Sequence, residues 1–439
     1  MSETISKDRN KKPVKVHFAL VGKQTYPVYL GIMETHADSV FLIHSAQTKE
    51  EAEHIAEVIG NGVCKPVEFS TDNIHSIINA INEKIVSQMS DGNQYTFDIS
   101  GSIKLWSVLI YKLLCKFRNA TFIYIDQIDT IYDITHTSQR KARVLLNMDL
   151  LFKLYGAKLS NYTALTAYTR DDFKACSLIA NKIFSRREFI SAFDVMANPQ
   201  EPQIRAKIKD GYDKVVEEKE LKGKSKKFAG SSLIYRPKDK YEENRKLWLD
   251  HADITVRDSS SENKPYTVAL DAPHLMDLLF FAGWFELYVA KMLSKWKPGS
   301  DIRMDVSFDY ENKNKTQNEV NIIMNTGHRL LFVECMTQSK KPDELDKFFE
   351  AVRSYGGMGS IALCVSFFHM DDDALSKCKD RIVSFSIEDA RNEYLKGKEI
   401  DWHTMSPGER SSMKKQIDDD VQRQFNLLLD ASLQKSNKK

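Results

Sequence analysis

The sequence predicts an α/β protein that begins with a Rossmann-like domain and ends in a second α/β domain. Between Val14 and Asp126, apolar runs of strand length alternate with helical patterns. Such alternation is typical of a mostly parallel sheet with helices on both faces. A second series begins near Pro265 and runs helix, three strands, helix, strand. The 439 residues also exceed one ordinary core, so two or three domains are expected.

The N-terminal series predicts five strands joined by four helices over residues 1–160. Thr48 suits the N-cap of the second helix, and Gly60 lies near its end. In chain order the strands are VKVHFALVG, DSVFLIHS, PVEFS, YTFDIS and ATFIYID, and the helices are PVYLGIMETH, TKEEAEHIAEVIGNG, DNIHSIINAINEKIVSQM and SIKLWSVLIYKLLCKF.

The middle of the chain predicts a helical, charged linker region over residues 161–264. Its first part resembles helix pairs, and the run IRAKIKDGYDKVVEEKELKGKSKKFAGSS is typical of a linker or flexible surface. Acidic residues are interleaved there with basic ones, which favours a solvated helix face over a nucleic-acid arm. The second α/β domain is expected over residues 265–395, followed by a polar helical tail over residues 396–439.

Composition narrows the functional classes. Lys and Arg number 63 against 61 Asp and Glu, so the net charge of +2 gives no global attraction to nucleic acid. The six scattered cysteines form no C-x-x-C pair, so neither a disulfide framework nor a structural zinc site is expected. The N-terminus lacks a signal peptide's apolar core, and the longest apolar stretch is too short to cross a membrane. We therefore expect a cytoplasmic protein.

Three strand ends of the first domain carry residues suited to a phosphorylated ligand. In an open parallel sheet, ligands bind at the carboxyl ends of strands. Small residues allow close backbone approach, and lysines can meet phosphate. Singly, each group is also ordinary turn chemistry, and neither G-x-G-x-x-G nor a P-loop is present. The candidate residues are Gly22, Lys23 and Gln24 after the first strand, Ser45, Ala46, Gln47 and Thr48 after the second, and Ser100, Gly101, Ser102 and Lys104 after the fourth.

The segment FDISGSIKLWSV resembles the signature of CARF domains, the cyclic-oligoadenylate sensors of type III CRISPR systems. Ser100, Gly101, Ser102 and Lys104 match its turn, with Ser102-Ile103 in place of the more usual Gly-Thr. The resemblance implies a homodimer with one cyclic oligoadenylate across its two-fold axis, and cyclic tetraadenylate suits such a site best. The Ser102-Ile103 departure leaves the ring size open.

A second constellation points to phosphodiester chemistry. A metal-dependent phosphodiesterase needs carboxylates for Mg²⁺ or Mn²⁺ and a cation or base near the attacking water. Glu286 lies on the long helix, and a short hairpin lets Asn321 and Glu334 face each other. Glu334 interrupts an apolar strand, so its carboxylate needs a partner or a role. The alternative is that these are exposed polar positions on a half-buried sheet and helix.

The segments GWFELYV, NEVNIIM and LLFVECMT resemble the PD-(D/E)xK, restriction-endonuclease-like domain of CRISPR ancillary nucleases that carry a CARF domain. By that resemblance Glu286, Asn321 and Glu334 match metal ligands. Asn321 stands where the motif has Asp, and Met336 stands where it has Lys. Asn321 loses a negative charge and Met336 a catalytic cation; losing one such group costs about a hundred-fold or more in rate. The candidate substitutes are Glu319, Gln338, Lys340 and Lys341.

The two resemblances imply a CRISPR antiviral effector that senses a cyclic oligoadenylate as a homodimer. If its site is competent, the expected reaction is metal-dependent (Mn²⁺ or Mg²⁺) endonuclease cleavage of single-stranded DNA or RNA. The alternative is a catalytically impaired sensor that binds nucleic acid or a protein partner without cutting. A third interpretation is slow cleavage of the cyclic ligand by the N-terminal domain itself.

Overall fold

The structure is a computed structural model. It describes residues 12–69, 73–101, 104–126, 129–145, 147–185, 219–222, 232–237, 249–256, 266–279, 283–309, 319–327, 329–337, 342–356, 360–378, 381–402 and 404–435.

The first sheet has seven strands in the order β3-β2-β1-β4-β5-β6-β7. The five from β3 to β5 are parallel, and β6 and β7 extend them as an antiparallel ribbon. The predicted parallel sheet is therefore confirmed. The strands are β1 (Lys15–Leu20), β2 (Ser39–His44), β3 (Cys64–Glu68), β4 (Gln94–Asp98), β5 (Ala120–Ile125), β6 (Thr130–Asp133) and β7 (Ser138–Lys141).

Helices cover both faces of this sheet, which makes it doubly wound. One core contains Val28 of the first helix and Ile55 of the second, and the opposite core contains Ile81 of the third and Trp106 of the fourth. Apolar residues at helical spacing give each helix one buried stripe. The helices are α1 (Thr25–Thr35), α2 (Lys49–Ile59), α3 (Ile74–Lys84), α4 (Lys104–Leu114) and α5 (Met148–Leu154), with Thr48 and Gly60 as the caps of α2.

Residues 161–264 were predicted to be a helical, charged linker region, and the part that the structure describes contains more strand than helix. Its helical elements are α6 (Arg170–Ser185) and a short 3-10 helix over Leu165–Ala167. The strand β8 (Lys158–Ala164) belongs to the C-terminal sheet, and β9 (Lys219–Lys222), β10 (Ser232–Pro237), β11 (Leu249–Val256) and β12 (Tyr266–Asp271) form an antiparallel sheet.

The charge of this segment hides its strand pattern. Ile254 in β11 and Val268 and Leu270 in β12 are buried in the C-terminal core. Their period of two fixes the strands, although the polar residues between them dominate the composition. Residues 186–218, 223–231, 238–248 and 257–265 lie outside the described part.

The C-terminal sheet has six strands in the order β17-β16-β15-β14-β13-β8. Its three strands β15 to β17 are parallel, and the others pair antiparallel. The four central strands predicted from the sequence, β13 to β16, are confirmed; β8 and β17 were not predicted. The strands besides β8 are β13 (Ile302–Asp309), β14 (Glu319–Asn325), β15 (Leu330–Met336), β16 (Ile361–Ser366) and β17 (Val383–Ser386).

The C-terminal helices pack on both faces of this sheet. The predicted long helix is present as α7 and α8, with residues 280–282 outside the described part. The predicted tail is helical, but Ile417, Val421, Phe425 and Leu429 of α12 are buried in the core, so it is an integral element. The helices are α7 (Leu275–Leu279), α8 (Gly283–Trp296), α9 (Pro342–Gly356), α10 (Asp372–Cys378), α11 (Ile387–Gly397) and α12 (Pro407–Lys435). None of the helices described is both long and apolar enough to span a lipid bilayer.

Candidate functional site

The ends of β1 and β4 meet at the topological switch point of the first sheet. These strands are neighbours whose following helices lie on opposite faces, the position at which open α/β sheets form a ligand crevice. Gly22 and Gly101 touch there: a Cβ on Gly22 would overlap the Gly101 carbonyl oxygen. A Cβ on Gly101 would lie 2.5 Å from the Leu20 oxygen. Two glycines are therefore required for the backbones to approach this closely.

Lys23 connects the first of these turns to the second. Its Nζ donates to the Gln47 backbone oxygen at 3.1 Å and pairs with Glu51 at 2.6 Å. The Lys23 side chain is 71% exposed and the Glu51 side chain 16%. The predicted adjacency of the strand ends is thus present, but Lys23 already has a carboxylate partner that a phosphate would have to replace.

The turn after β2 is built by a reciprocal cap. The Ser45 backbone N–H donates to Thr48 Oγ1 at 3.1 Å, and the two hydroxyls lie 3.3 Å apart. This pairing starts a short 3-10 helix over Ala46–Thr48 that leads into α2. Ala46 and Gln47 are exposed at its tip, so they are the residues of this turn that can reach a ligand.

Ser100 shapes its turn from inside. Its hydroxyl donates to Asp98 Oδ1 and accepts the Ile125 N–H at 2.7 Å. Both directions of the hydroxyl are therefore used within the fold. Lys104 is exposed at the start of α4, and Ser102 lies outside the described residues.

Beneath this turn, His17 of β1 and Asp98 of β4 form a fully buried pair. Nε2 of His17 and Oδ2 of Asp98 lie 3.9 Å apart, too far for a hydrogen bond, and neither atom has a hydrogen-bond partner. Burial lowers the pKa of His17 to about 3. Burial also raises the pKa of Asp98 to about 7, although hydrogen bonds from Ser100 oppose it. Both groups are consequently neutral near pH 6.

In the C-terminal domain, Asn321 joins α8, β14 and β15. Its Oδ1 accepts the Cys335 N–H at 2.9 Å, and its Nδ2 donates to Glu286 Oε1 at 2.6 Å. The amide orientation is fixed because a backbone N–H only donates, so Oδ1 must face Cys335. The backbone pairing of β14 with β15 ends at Ile322 and Val333. Beyond that point the Asn321 side chain, instead of a backbone group, bonds to β15.

Glu286 is buried on the first turn of α8, with 5% of its surface exposed. Burial raises its pKa well above the ordinary range, the adjacent carboxylates of Asp305 and Glu334 raise it further, and the hydrogen bond from Asn321 opposes them. Its Oε2 is buried without a hydrogen-bond partner. Such an oxygen requires a proton or a cation.

Asp305 is a site residue that the sequence analysis missed. It lies on β13 between Met304 and Val306, whose partners Ile322 and Val320 flank Asn321. Its φ of 50° places it in the left-handed region, which a non-glycine residue seldom adopts within a strand. Asp305 is exposed, and its carboxylate is close enough to Glu286 to raise the pKa of that group. No sequence pattern marks this conformation; only its position opposite Asn321 could have indicated it.

Met336 lies in the apolar core, on the face of β15 that also carries Glu334. It is 2% exposed and packs in the same cluster as Phe332, Phe348 and Cys364. Glu334 is paired in register with Cys364 on the neighbouring strand. Of the candidate substitutes, Glu319 is exposed at the start of β14, and Gln338, Lys340 and Lys341 lie outside the described residues.

These donors do not fit a divalent metal as they are arranged. Oε2 of Glu286 suits a cation, since it is buried without a hydrogen-bond partner. The Asn321 amide nitrogen faces Glu286 where a cation between the two side chains would lie. Within the described residues, no three His, Cys, Asp or Glu side chains form a group that could hold a metal.

The two domains share a buried joint beside the ligand turns. Tyr26, at the start of α1, packs against the cores of both domains. Burial and the charge of Asp129 raise the pKa of Tyr26. Burial lowers the pKa of Arg329, the residue before β15, and the charge of Asp129 opposes this effect. Arg303 of β13 makes a second link, donating to Asp149 of α5 at 2.9 Å.

The fold defines a class of protein in which a doubly wound α/β domain is joined to a second α/β domain with a mixed sheet. Residues 277–405 match the family described as "Card1-like, endonuclease domain". This match confirms the resemblance of the C-terminal domain to CARF-linked nucleases. A comparison with functionally curated proteins gave no match.

Two solved structures share the fold of the whole chain. Protein VC1899 from Vibrio cholerae aligns with a TM-score of 0.63 and 12% identity, over 85% of this chain and 94% of its own. Can2 from Sulfobacillus thermosulfidooxidans, solved in complex with cyclic tetra-adenylate, aligns with a TM-score of 0.56 and 13% identity, over 85% of this chain and 95% of its own. The predicted α/β fold class is thereby confirmed.

Proposed function

We propose that this chain is a cyclic-oligoadenylate sensor of type III CRISPR antiviral defence whose nuclease-like domain binds nucleic acid or a protein partner with strongly impaired cleavage. The proposal that cleavage is strongly impaired rests on one observation: the Asn321 amide nitrogen donates a hydrogen bond to Glu286. An Asp at that position would place a second negative charge there and attract a cation. Met336, buried in the core, supplies no cation for the reaction.

The ligand site of this proposal is the crevice at the ends of β1, β2 and β4. The contact of Gly22 with Gly101 exposes backbone at the switch point, and Lys23 and Lys104 supply positive charge at its edge. Can2, which shares the fold, was solved with cyclic tetra-adenylate. Cyclic tetraadenylate is accordingly the ligand to test first.

A Gly22→Ala variant is expected to lose about tenfold or more in affinity for cyclic tetraadenylate, because its Cβ displaces the Gly101 carbonyl from the crevice. Isothermal titration calorimetry measures the affinity. Gly62→Ala is the matched control, since a Cβ there meets nothing within 4 Å. Equal affinities in both variants would place the ligand elsewhere.

The proposed homodimer uses α4, which directly follows the Ser100-Gly101 turn. Leu105, Val108 and Tyr111 recur at helical spacing on this helix, with 43%, 62% and 42% of their surfaces exposed. An apolar stripe exposed beside a ligand crevice is suited to a second copy that would complete the site.

A Val108→Glu variant is therefore expected to convert the dimer to a monomer, since it places a carboxylate at the centre of an apolar contact. Light scattering coupled to size-exclusion chromatography reads the mass directly. Leu427→Glu, at a residue 56% exposed on α12, makes the same change on another helix and should leave the mass unchanged. A Val108→Glu protein that stays dimeric contradicts this interface.

A second candidate function is ligand-activated cleavage of single-stranded DNA or RNA by the unaltered protein. Asp305 favours it, because its carboxylate supplies beside Glu286 the negative charge that Asn321 lacks. Cleavage of labelled DNA and RNA with Mn²⁺, with and without cyclic tetraadenylate, decides between the two functions. Ligand-dependent cutting establishes the second; binding of the ligand without cutting supports the first, and failure to bind the ligand contradicts both.

A further inference from the structure

A cationic cavity lies in the C-terminal domain, away from the residues discussed above. Its volume is about 290 Å³. It lies between α8, α11 and α12 and the segment that carries Trp402. Its lining divides into an apolar floor of Ile387, Ile417 and Val421 and a polar set of Asn181, Tyr288, Arg391, Trp402, Arg410, Ser411, Lys414 and Asp418.

Two arginines surround the Trp402 indole. The Arg391 guanidinium lies 4.3 Å from the ring centroid and the Arg410 guanidinium 5.8 Å from it. Nε of Arg410 also donates to the Trp402 backbone oxygen at 3.0 Å, which holds the two residues together. Arg391 is 8% exposed, so its charge is held inside the protein.

The charges around the cavity are unequal. Arg391, Arg410 and Lys414 are cationic, whereas Asp418 is the single carboxylate of the lining and pairs with Lys414 at 3.2 Å. Glu388, near Arg391, adds a second negative charge from outside the lining. Burial lowers the pKa of Arg391, and the charge of Arg410 lowers it further against the opposing effects of Asp418 and Glu388. An anion that contacts both guanidinium groups would reduce the repulsion between their positive charges.

We propose that this cavity binds a nucleoside monophosphate. The phosphate contacts Arg391, Arg410 and Lys414 from the cavity, and the base lies over the apolar floor of Ile387, Ile417 and Val421. A cavity of about 290 Å³ is at the small end of ligand sites, which favours a mononucleotide over a longer one. Guanidinium groups bind phosphate through paired hydrogen bonds, and flat or apolar protein surfaces bind a base.

The cavity is separate from the polar site on α8. Tyr288 lines it, and Glu286 lies two residues earlier on the same helix. At 3.6 residues per turn, the two side chains point to roughly opposite sides of α8. An occupant therefore contacts the helix that carries Glu286 without entering the Glu286 site.

The test titrates the full chain with uridine 5′-monophosphate by isothermal titration calorimetry, with uridine and inorganic phosphate as separate probes. We expect saturable binding of the nucleotide, and binding of either fragment weaker by about tenfold or more, because each makes only part of the contacts. Arg410→Ala and Lys414→Ala should each weaken nucleotide binding about tenfold. The second variant removes a cation that holds no backbone, so it remains informative if the first unfolds.

Two controls locate the binding. Arg423→Ala removes an arginine of α12 that is 62% exposed and paired with Asp420, and it should leave the affinity unchanged. Gly22→Ala should also leave it unchanged, which separates this cavity from the proposed cyclic-oligoadenylate crevice. The proposal is overturned if the unaltered protein shows no binding, if inorganic phosphate binds as tightly as the nucleotide, or if Lys414→Ala has no effect.

Discussion

The double variant Asn321→Asp, Met336→Lys is expected to cleave single-stranded nucleic acid at least about a hundred-fold faster than the unaltered protein. The new carboxylate replaces the amide nitrogen that now donates to Glu286 at 2.6 Å. Two facing carboxylates repel unless a proton or cation lies between them. The new lysine lies on the same face of β15 as Glu334, two residues earlier, and supplies the cation that Met336 lacks.

Asn321→Asp alone should already bind Mn²⁺, detectable by calorimetry without any cleavage assay. Asn325→Asp is the matched control, because it adds the same charge to β14 while its side-chain oxygen bonds to Gly327 instead of Glu286. Met336→Lys alone should lower the melting temperature, since it buries an amine in the cluster of Phe332 and Phe348. A double variant that binds Mn²⁺ no better than the unaltered protein would show that the frame, and not the two residues, limits the site.

The strand-and-helix order of both sheets could be predicted because each apolar run has one clear period. Strand β15 is apolar at almost every position, as a strand covered on both faces must be. The antiparallel sheet β9–β12 was not predicted because its short strands lie within a segment whose composition is dominated by charged residues, so buried positions such as Ile254 and Leu270 do not stand out. The burial of α12 was also not predicted, because its apolar positions are spaced widely along a polar helix.

The sequence predicts which segments of the candidate sites lie close together, but not which atoms are in contact. Strand ends that follow parallel strands must meet, so Gly22 and Gly101 were expected to lie close. Which polar atoms remain available was not predictable, because Ser100 is bound by Asp98 and Lys23 by Glu51. Asp305 depends on one backbone angle, and the orientation of the Asn321 amide depends on Cys335 across the strand pair. Both features depend on the tertiary structure around them and therefore cannot be read from the local sequence.

An Asp98→Asn variant is expected to make the stability of the protein steeply dependent on pH between about 3 and 6.5. In the unaltered fold near pH 5, Asp98 holds a proton and His17 does not. In the unfolded chain the proton is on His17 instead. The number of bound protons is equal in the two states, so the pair contributes almost no slope over that interval.

Replacing Asp98 leaves His17 alone. Its folded pKa of about 3 lies below its unfolded value near 6.5. The folded state then binds fewer protons, so stability is full above about pH 6.5 and is lost as the pH falls toward 3. The full difference is on the order of 3 to 5 kcal/mol. Urea unfolding between pH 4 and 8 measures it.

Asp91→Asn, at an exposed position in the turn before β4, is the control and should keep the pH profile of the unaltered protein. The unaltered protein should itself lose stability only slightly above pH 6.5, where Asp98 still holds its proton and unfolded His17 has released its own. A flat profile in Asp98→Asn would mean that His17 is not held neutral by burial.

The same variant also tests the turn that carries Ser100, because Asp98 accepts the hydrogen bond of the Ser100 hydroxyl. Asparagine keeps the accepting Oδ1 without the charge. Calorimetry with cyclic tetraadenylate at pH 8 should therefore show an affinity close to that of the unaltered protein.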